Sequence, residues 1–162
     1  MRPGSIYAAF GSKEALFQAA LTAYYEQLLE EMTRVLDSHD RVLDGLAAYL
    51  RQLAVEATGE VGTAPVPACM MVKTLLEATT DTPGLQDAVN DLFDRIERDL
   101  TGVLESARDQ GELNKGADCA RLARLWQAQI IGLRTFAHRR VDAESVKLLA
   151  EDMILLLQCR TS

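Results

Sequence analysis

The sequence predicts an all-α protein, a bundle of about six helices that follows one short helix at the start of the chain. Glycine and proline are scarce, with 10 and 4 among 162 residues, and 48% of the residues are hydrophobic, enough for a buried core. Apolar residues recur every three or four positions along most of the chain, which is the period of an amphipathic helix. No segment shows the alternation of apolar and polar residues that is typical of a half-buried strand.

The first long helix is predicted to run from residue 13 to about residue 36. Ser12 is a suitable N-cap, because its hydroxyl can accept a hydrogen bond from a free backbone N–H of the first turn. The polar segment DSHD at 37–40 ends this helix, and a second helix follows. Their apolar stripes are Phe17, Leu21, Tyr24, Leu28, Met32 and Val35 in the first, and Val42, Leu43, Leu46, Leu50, Leu53 and Ala57 in the second.

The middle of the chain predicts a loop, a short helix and a long helix. Residues 58–67 hold two glycines and two prolines, which indicates a loop. The segment ACMMVKTLLEATT at 68–80 is apolar on nearly all sides, so we expect a short buried helix. A long helix follows, and Gly111 ends it in a left-handed conformation. Its stripe is Leu85, Val89, Leu92, Ile96, Leu100, Val103 and Ala107.

The last two helices carry more apolar surface than the others; Asp118 or a neighbour is expected to cap the first of them, and Asp142 the second. In the final helix Val146, Leu149, Ala150, Met153, Leu156 and Leu157 form a main stripe, and Leu148, Leu155 and Cys159 form a second one. One helix cannot bury two separate stripes against a single neighbour, so the sequence favours a partner chain. The alternative, that both stripes lie inside one fold, stays open because apolar faces are more often core than interface.

Charge and motif content exclude several classes of protein. The net charge of −7 and the pI near 4.8 argue against non-specific coating of nucleic acid, which needs many Lys and Arg contacts to phosphate. Neither the two histidines, His39 and His138, nor the cysteines have the spacing of a metal site. We therefore expect no metal, no cofactor and no enzymatic activity. The cysteines Cys69, Cys119 and Cys159 are predicted to be buried free thiols.

Without a signal peptide or an apolar run of membrane-spanning length, the sequence predicts a cytoplasmic protein with no membrane partner.

The opening of the chain places two phosphate-binding groups around a turn. Tyr7 and Lys13 flank the Gly11-Ser12 turn, where the next helix offers free N–H groups and the positive end of its dipole. The short helix before this turn has the position of the base-reading helix in a helix-turn-helix.

This stretch resembles the end of the DNA-binding domain of the TetR family of transcriptional regulators. The resemblance is carried by RPGSIYAAFGSKEALFQAAL at 2–21, which holds a Tyr-x-x-Phe signature at 7–10 and a Ser-Lys-Glu-x-Leu helix start at 12–16. The segments ACMMVKTLLEATTDTPGLQ at 68–86 and DQGEL at 109–113 are similar to the effector-binding and dimerisation region of one large branch of that family.

The resemblance implies a homodimeric repressor that binds operator DNA and responds to a small apolar or amphipathic effector. Residues 1–22 would be the remnant of a helix-turn-helix domain, and 23–162 the effector-binding and dimerisation domain. Tyr7 and Lys13 would contact phosphates, while Arg2, Ser5 and Ala8 lie on the helix that enters the major groove. The expected effector pocket is Tyr49, Leu50, Met70, Met71, Leu75, Phe93, Ile96, Trp126 and Ile130. The expected dimer interface is Leu122, Leu125, Leu133, Phe136, Val146, Leu149, Met153 and Leu156.

The resemblance also has a gap, because the family places two helices before the recognition helix and this sequence has neither. We therefore expect DNA binding to be impaired in this form. Our hypothesis is that the two preceding helices are missing because this sequence is an N-terminally truncated version of a longer protein. The alternative function is a dimeric helical ligand-binding or interaction module that does not bind DNA. A helical enzyme is disfavoured, because no paired titratable residues of a catalytic pocket are visible.

Overall fold

The computed structural model describes residues 10–59, 70–77, 83–139 and 141–161. The all-α prediction is confirmed, because these residues form six helices and no strand. The helices are α1 (Lys13–Leu36), α2 (Val42–Thr58), α3 (Met70–Glu77), α4 (Pro83–Asp109), α5 (Cys119–Ala137) and α6 (Ala143–Thr161).

Local hydrogen bonds set the helix boundaries where the sequence predicts them. The Ser12 hydroxyl accepts from the N–H of Ala15 at 3.0 Å, and the Asp118 carboxylate accepts from that of Arg121 at 3.0 Å. Asp142 likewise caps α6. Gly111 has a φ of 78°, a left-handed conformation that glycine adopts without steric cost, and this conformation ends α4.

The helix α2 starts differently, because its N-cap residue Arg41 makes no side-chain capping bond. The carboxylate of Glu112, in the loop after α4, accepts hydrogen bonds from the N–H groups of Val42 and Leu43 at 2.8 and 2.9 Å. A residue 70 positions away in the sequence thus caps this helix.

The core consists of two apolar clusters. The larger one centres on α2, which packs against α1, α4, α5 and α6, and it includes Leu46, Leu50, Leu104 and Leu133. The smaller one lies where α1, α3 and α4 meet, and it consists of Leu21, Tyr25, Met71, Val89 and Leu92. A cavity described below lies between the two clusters, since Leu29 and Ile96 pack against both of them.

The prediction of a fully buried helix at 68–80 is wrong for the described part, α3. Met71 and Thr74 are buried, whereas Lys73 is exposed and Leu76 is 79% exposed. A helix of two turns covers the groove between α1 and α4 with one side only, so its other side faces solvent.

The helix α6 has two apolar faces, as predicted, but the residues on each face differ from those predicted. The buried stripe is Val146, Ala150, Ile154 and Leu157. Leu156, predicted for the main stripe, lies outward with Leu148 and Leu155, and the three are 63%, 56% and 58% exposed.

Cys119 is buried and has a free thiol, as predicted; burial raises its pKa. Cys69 and the side chain of Cys159 lie outside the described residues. None of the helices in the described part is both long and apolar enough to cross a membrane.

Candidate functional site

A largely apolar cavity of the described structure lies between α1, α4 and α5, and α2 and α3 each contribute one side chain to its wall. Its free volume is about 60 Å³. Most of its wall is apolar, and the apolar side chains are Leu28, Leu29, Met32, Met71, Phe93, Ile96, Leu100, Ile130 and Ile131. The polar side chains on the wall are Tyr25, Tyr49, Asp99, Gln127 and Arg134.

One polar group of the wall is a tyrosine–aspartate pair between α1 and α4. The Tyr25 hydroxyl donates a hydrogen bond to Asp99 Oδ2 at 2.5 Å. The guanidinium of Arg95 lies over the Tyr25 ring, 4.3 Å from its centroid. Burial, reinforced by the bond to Asp99, raises the pKa of Tyr25, so the phenol remains a neutral donor.

A second polar group of the wall centres on Arg134 of α5, which is only 8% exposed. Its Nη1 donates a hydrogen bond to the hydroxyl of Tyr24 at 2.8 Å. Tyr49 of α2 lies close enough to interact with this positive charge, which opposes the effect of burial on its pKa. Burial is the larger effect and raises the pKa of Tyr49, so a neutral phenol lies beside the guanidinium.

Glu31 of α1 lies close enough to Arg134 to interact with its charge, and Glu56 of α2 lies beside Glu31. The side-chain amide of Gln52 donates to Glu31 at 2.5 Å and to Glu56 at 2.7 Å, which holds the two carboxyls together. Burial raises the pKa of Glu31, the neighbouring Glu56 raises it further, and the charge of Arg134 lowers it in part. Two adjacent carboxyls disfavour double ionisation, which is why the contact with Glu56 raises the pKa of Glu31.

The wall formed by α4 and α5 is tied together by polar bonds. The amide of Gln127 donates to the backbone carbonyl of Phe93 at 2.8 Å. Arg124 pairs with Glu97 at 2.8 Å on the outer side of the same two helices. These bonds fix the position of Phe93 relative to α5.

The residues predicted for the effector pocket fall into three groups. Tyr49, Met71, Phe93, Ile96 and Ile130 line the cavity. Met70 and Leu75 pack against the smaller apolar cluster next to it. Leu50 and Trp126 belong to the larger cluster and do not line the cavity, because apolar periodicity identifies the buried face of a helix but not the part of the core that it faces.

Sequence reasoning missed the contribution of α1 to the cavity, together with Arg134. The signal for α1 was present, because Leu28 and Met32 belong to its predicted apolar stripe. Arg134 follows Ile130 by four positions and therefore shares its helix face. Ile131, assigned from the sequence to the polar side of α5, also lines the cavity.

The predicted dimer residues divide between core and surface of the single chain. Leu122, Leu133 and Val146 are buried within it and are therefore not available to a partner. Leu125, Phe136, Leu149 and Met153 are half-buried, and Leu156 is exposed.

Most of the predicted DNA-binding residues, Arg2, Ser5, Tyr7 and Ala8, lie outside the described residues. Lys13 is the first residue of α1, and its side chain also lies outside them. No group of three or more His, Cys, Asp or Glu side chains with the arrangement of a metal site occurs in the described part of the chain.

Comparisons with known proteins identify relatives of one kind. A family model for the C-terminal domain of tetracyclin repressor-like proteins matches residues 47–149. The TetR family transcriptional regulator CifR, solved as a cysteine variant complexed with 26-base-pair double-strand operator DNA, is 28% identical in sequence. The match has a TM-score of 0.83 and covers 96% of this chain and 80% of that one.

Two further solved regulators share the fold at lower identity. A TetR transcriptional regulator from Chloroflexus aurantiacus is 24% identical, with a TM-score of 0.75, and the match covers 93% of this chain and 74% of the other. A TetR family regulator from Cytophaga hutchinsonii is 18% identical, with a TM-score of 0.82, and the match covers 97% and 77%. Among proteins of curated function, none matches this chain.

Proposed function

Since the chain belongs to the TetR family of transcriptional regulators, we propose that it is a DNA-binding repressor controlled by a small-molecule effector. The effector binds in the cavity between α1, α4 and α5 and lowers the affinity for operator DNA. The functional unit is a homodimer, and its role is regulatory rather than enzymatic.

The observation that carries this proposal is the position of α1. Tyr25, Leu29 and Met32 of α1 lie on the cavity wall, while the N terminus of the same helix follows the segment that resembles a recognition helix. The distance along the helix from Lys13 to Tyr25 is roughly 18 Å, at a rise of about 1.5 Å per residue. A continuous helix of this length transmits a displacement at the cavity to its N terminus.

The small size of the cavity supports a coupling between ligand binding and helix movement. A free volume of about 60 Å³ is far below that of a typical ligand pocket, about 300 Å³ or more. A ligand must therefore displace part of the wall. Met32 of α1 and Met71 of α3 are unbranched and flexible, so they are suited to move, and α1 moves with them.

The DNA-binding part of the proposal is tested by fluorescence anisotropy with DNA from the region upstream of the gene. We expect weak binding, since the sequence predicts impaired DNA binding in this form, but tighter binding to this DNA than to unrelated DNA of the same length. If Lys13 contacts a phosphate, Lys13→Ala reduces the slope of log affinity against log salt concentration by about one.

The matched control is Lys115→Ala, which removes the same charge from an exposed position in the loop after α4. We expect this variant to retain the salt dependence of the wild type. Equal binding to upstream and unrelated DNA would contradict the proposal, and equal salt slopes for the wild type and both variants would contradict the phosphate contact of Lys13.

A further inference from the structure

Arg134 is a buried cation on the wall of an otherwise largely apolar cavity. Its side chain lies on α5, one helical turn after Ile130, and is 8% exposed. Transfer of a guanidinium from water into such a site is unfavourable unless an anion or several acceptors compensate it. The protein therefore retains this charge at an energetic cost, and its partners decide what the cavity can bind.

The protein compensates this charge only in part. The guanidinium has five N–H donors, and Nη1 donates to the hydroxyl of Tyr24. Within the described residues Arg134 forms no ion pair with a carboxylate. The nearby acid Glu31 is held next to Glu56 by Gln52, whose amide donates to both carboxyls, and burial raises the pKa of Glu31.

The acid on the cavity wall, Asp99, is matched instead by its own neighbours. It accepts the hydrogen bond from Tyr25, whose ring carries the guanidinium of Arg95. A cationic ligand would have to compete with these contacts at Asp99 and would be repelled by Arg134. An anionic ligand instead meets a buried positive charge that forms no ion pair with any carboxylate in the described part of the chain.

From this asymmetry we infer that the effector is an amphipathic carboxylic acid, whose apolar body fills the cavity and whose carboxylate pairs with Arg134. This inference rests on the proposed function, because it names the chemical class of the ligand for the same cavity. The planar guanidinium can bind a carboxylate through two parallel hydrogen bonds, a geometry that an alcohol or an amine does not match. Phe93, Ile96 and Ile130 provide the apolar contact for the rest of the molecule.

The experiment compares three probes that share one chain and differ in the head group: octanoate, octan-1-ol and octylammonium. Isothermal titration calorimetry on the full chain at pH 7 measures their affinities without any DNA. We expect octanoate to bind about tenfold more tightly than either other probe, as a charge-assisted pair in a buried site predicts.

Arg134→Met keeps most of the side-chain volume but removes the charge, so the preference for octanoate should disappear. Arg134→Lys keeps the charge without the planar fork and should retain part of the preference. This second variant keeps the test valid if Arg134→Met does not fold. Arg121→Met is the control on the same helix, because Arg121 is exposed and does not line the cavity; it should leave all three affinities unchanged.

The possible failures are distinguishable. If octan-1-ol or octylammonium binds as tightly as octanoate, or if Arg134→Met retains the preference, the acidic class is wrong and the effector cavity remains. If none of the three probes binds, the effector cavity itself is wrong, and the inference with it.

Discussion

Glu112 shows how one loop residue fixes the start of a distant helix. Its side chain is 7% exposed, and its carboxylate accepts hydrogen bonds from the first two N–H groups of α2, those of Val42 and Leu43. Arg41 adds a weak ion pair at 3.9 Å. The substitution Glu112→Ala removes the acceptor of each of these two N–H groups. We therefore expect it to lower the free energy of unfolding by about 2 kcal/mol, measured by urea denaturation.

The control for this prediction is Glu105→Ala in α4. Glu105 is 51% exposed, and its contact with Arg108 is 4.0 Å long, so its removal should change the stability by less than about 0.5 kcal/mol. A similar loss in both variants would show that Glu112 contributes only its charge.

Glu31 gives the protein a specific dependence of stability on pH. Burial, followed by the contact with Glu56, raises its pKa in the folded state, so the folded protein binds this proton more tightly than the unfolded chain. Stability from this group is present below the unfolded pKa of about 4.3 and is lost as the pH rises through the folded pKa. Glutamine does not ionise, so Glu31→Gln removes this loss of stability at higher pH. Its amide N–H can donate to Glu56, as the proton of a neutral Glu31 does.

We therefore expect the stability of Glu31→Gln relative to the wild type to rise between pH 4 and pH 7. Chemical denaturation at several pH values measures it. The adjacent Glu30→Gln controls for removal of one carboxylate from α1, since Glu30 is exposed to solvent. If the difference between Glu31→Gln and the wild type stays constant with pH, Glu31 does not bind the proton as described.

At the scale of helices, the sequence predicts what is encoded locally. The boundaries of α1, α5 and α6 depend on capping residues within three positions of the helix start, so Ser12, Asp118 and Asp142 were recognisable. The cap of α2 was not, because Glu112 reaches it from another part of the chain. The exposure of α3 also escaped prediction, because it depends on how much of the groove between α1 and α4 a helix of 8 residues can cover.

The residues of the cavity were likewise predictable only where local sequence determines their position. Phe93, Ile96 and Ile130 were predicted because they lie on the apolar faces of two long helices, and apolar faces are visible in the sequence. Trp126 lies on the same helix as Ile130 and packs in the same larger cluster, but only Ile130 lines the cavity. Whether a buried side chain faces the cavity depends on helix crossing and rotation, and periodicity does not encode either.

At the scale of the whole molecule, the outward face of α6 is the surface on which we expect two copies of the chain to assemble. Leu148, Leu155 and Leu156 are more than half exposed in the single chain, and continuous exposed leucines on one helix are typical of an interface. We expect the wild type to sediment at twice the chain mass of 17.8 kDa, and Leu156→Glu to sediment at the mass of one chain, because the buried carboxylate would have no partner.

Leu76→Glu on α3 is the control, since Leu76 is 79% exposed but lies on another helix, and this variant should remain a dimer. A wild type that sediments as a monomer at micromolar concentration would contradict the homodimer, and a dimer that Leu76→Glu dissociates and Leu156→Glu does not would place the interface elsewhere.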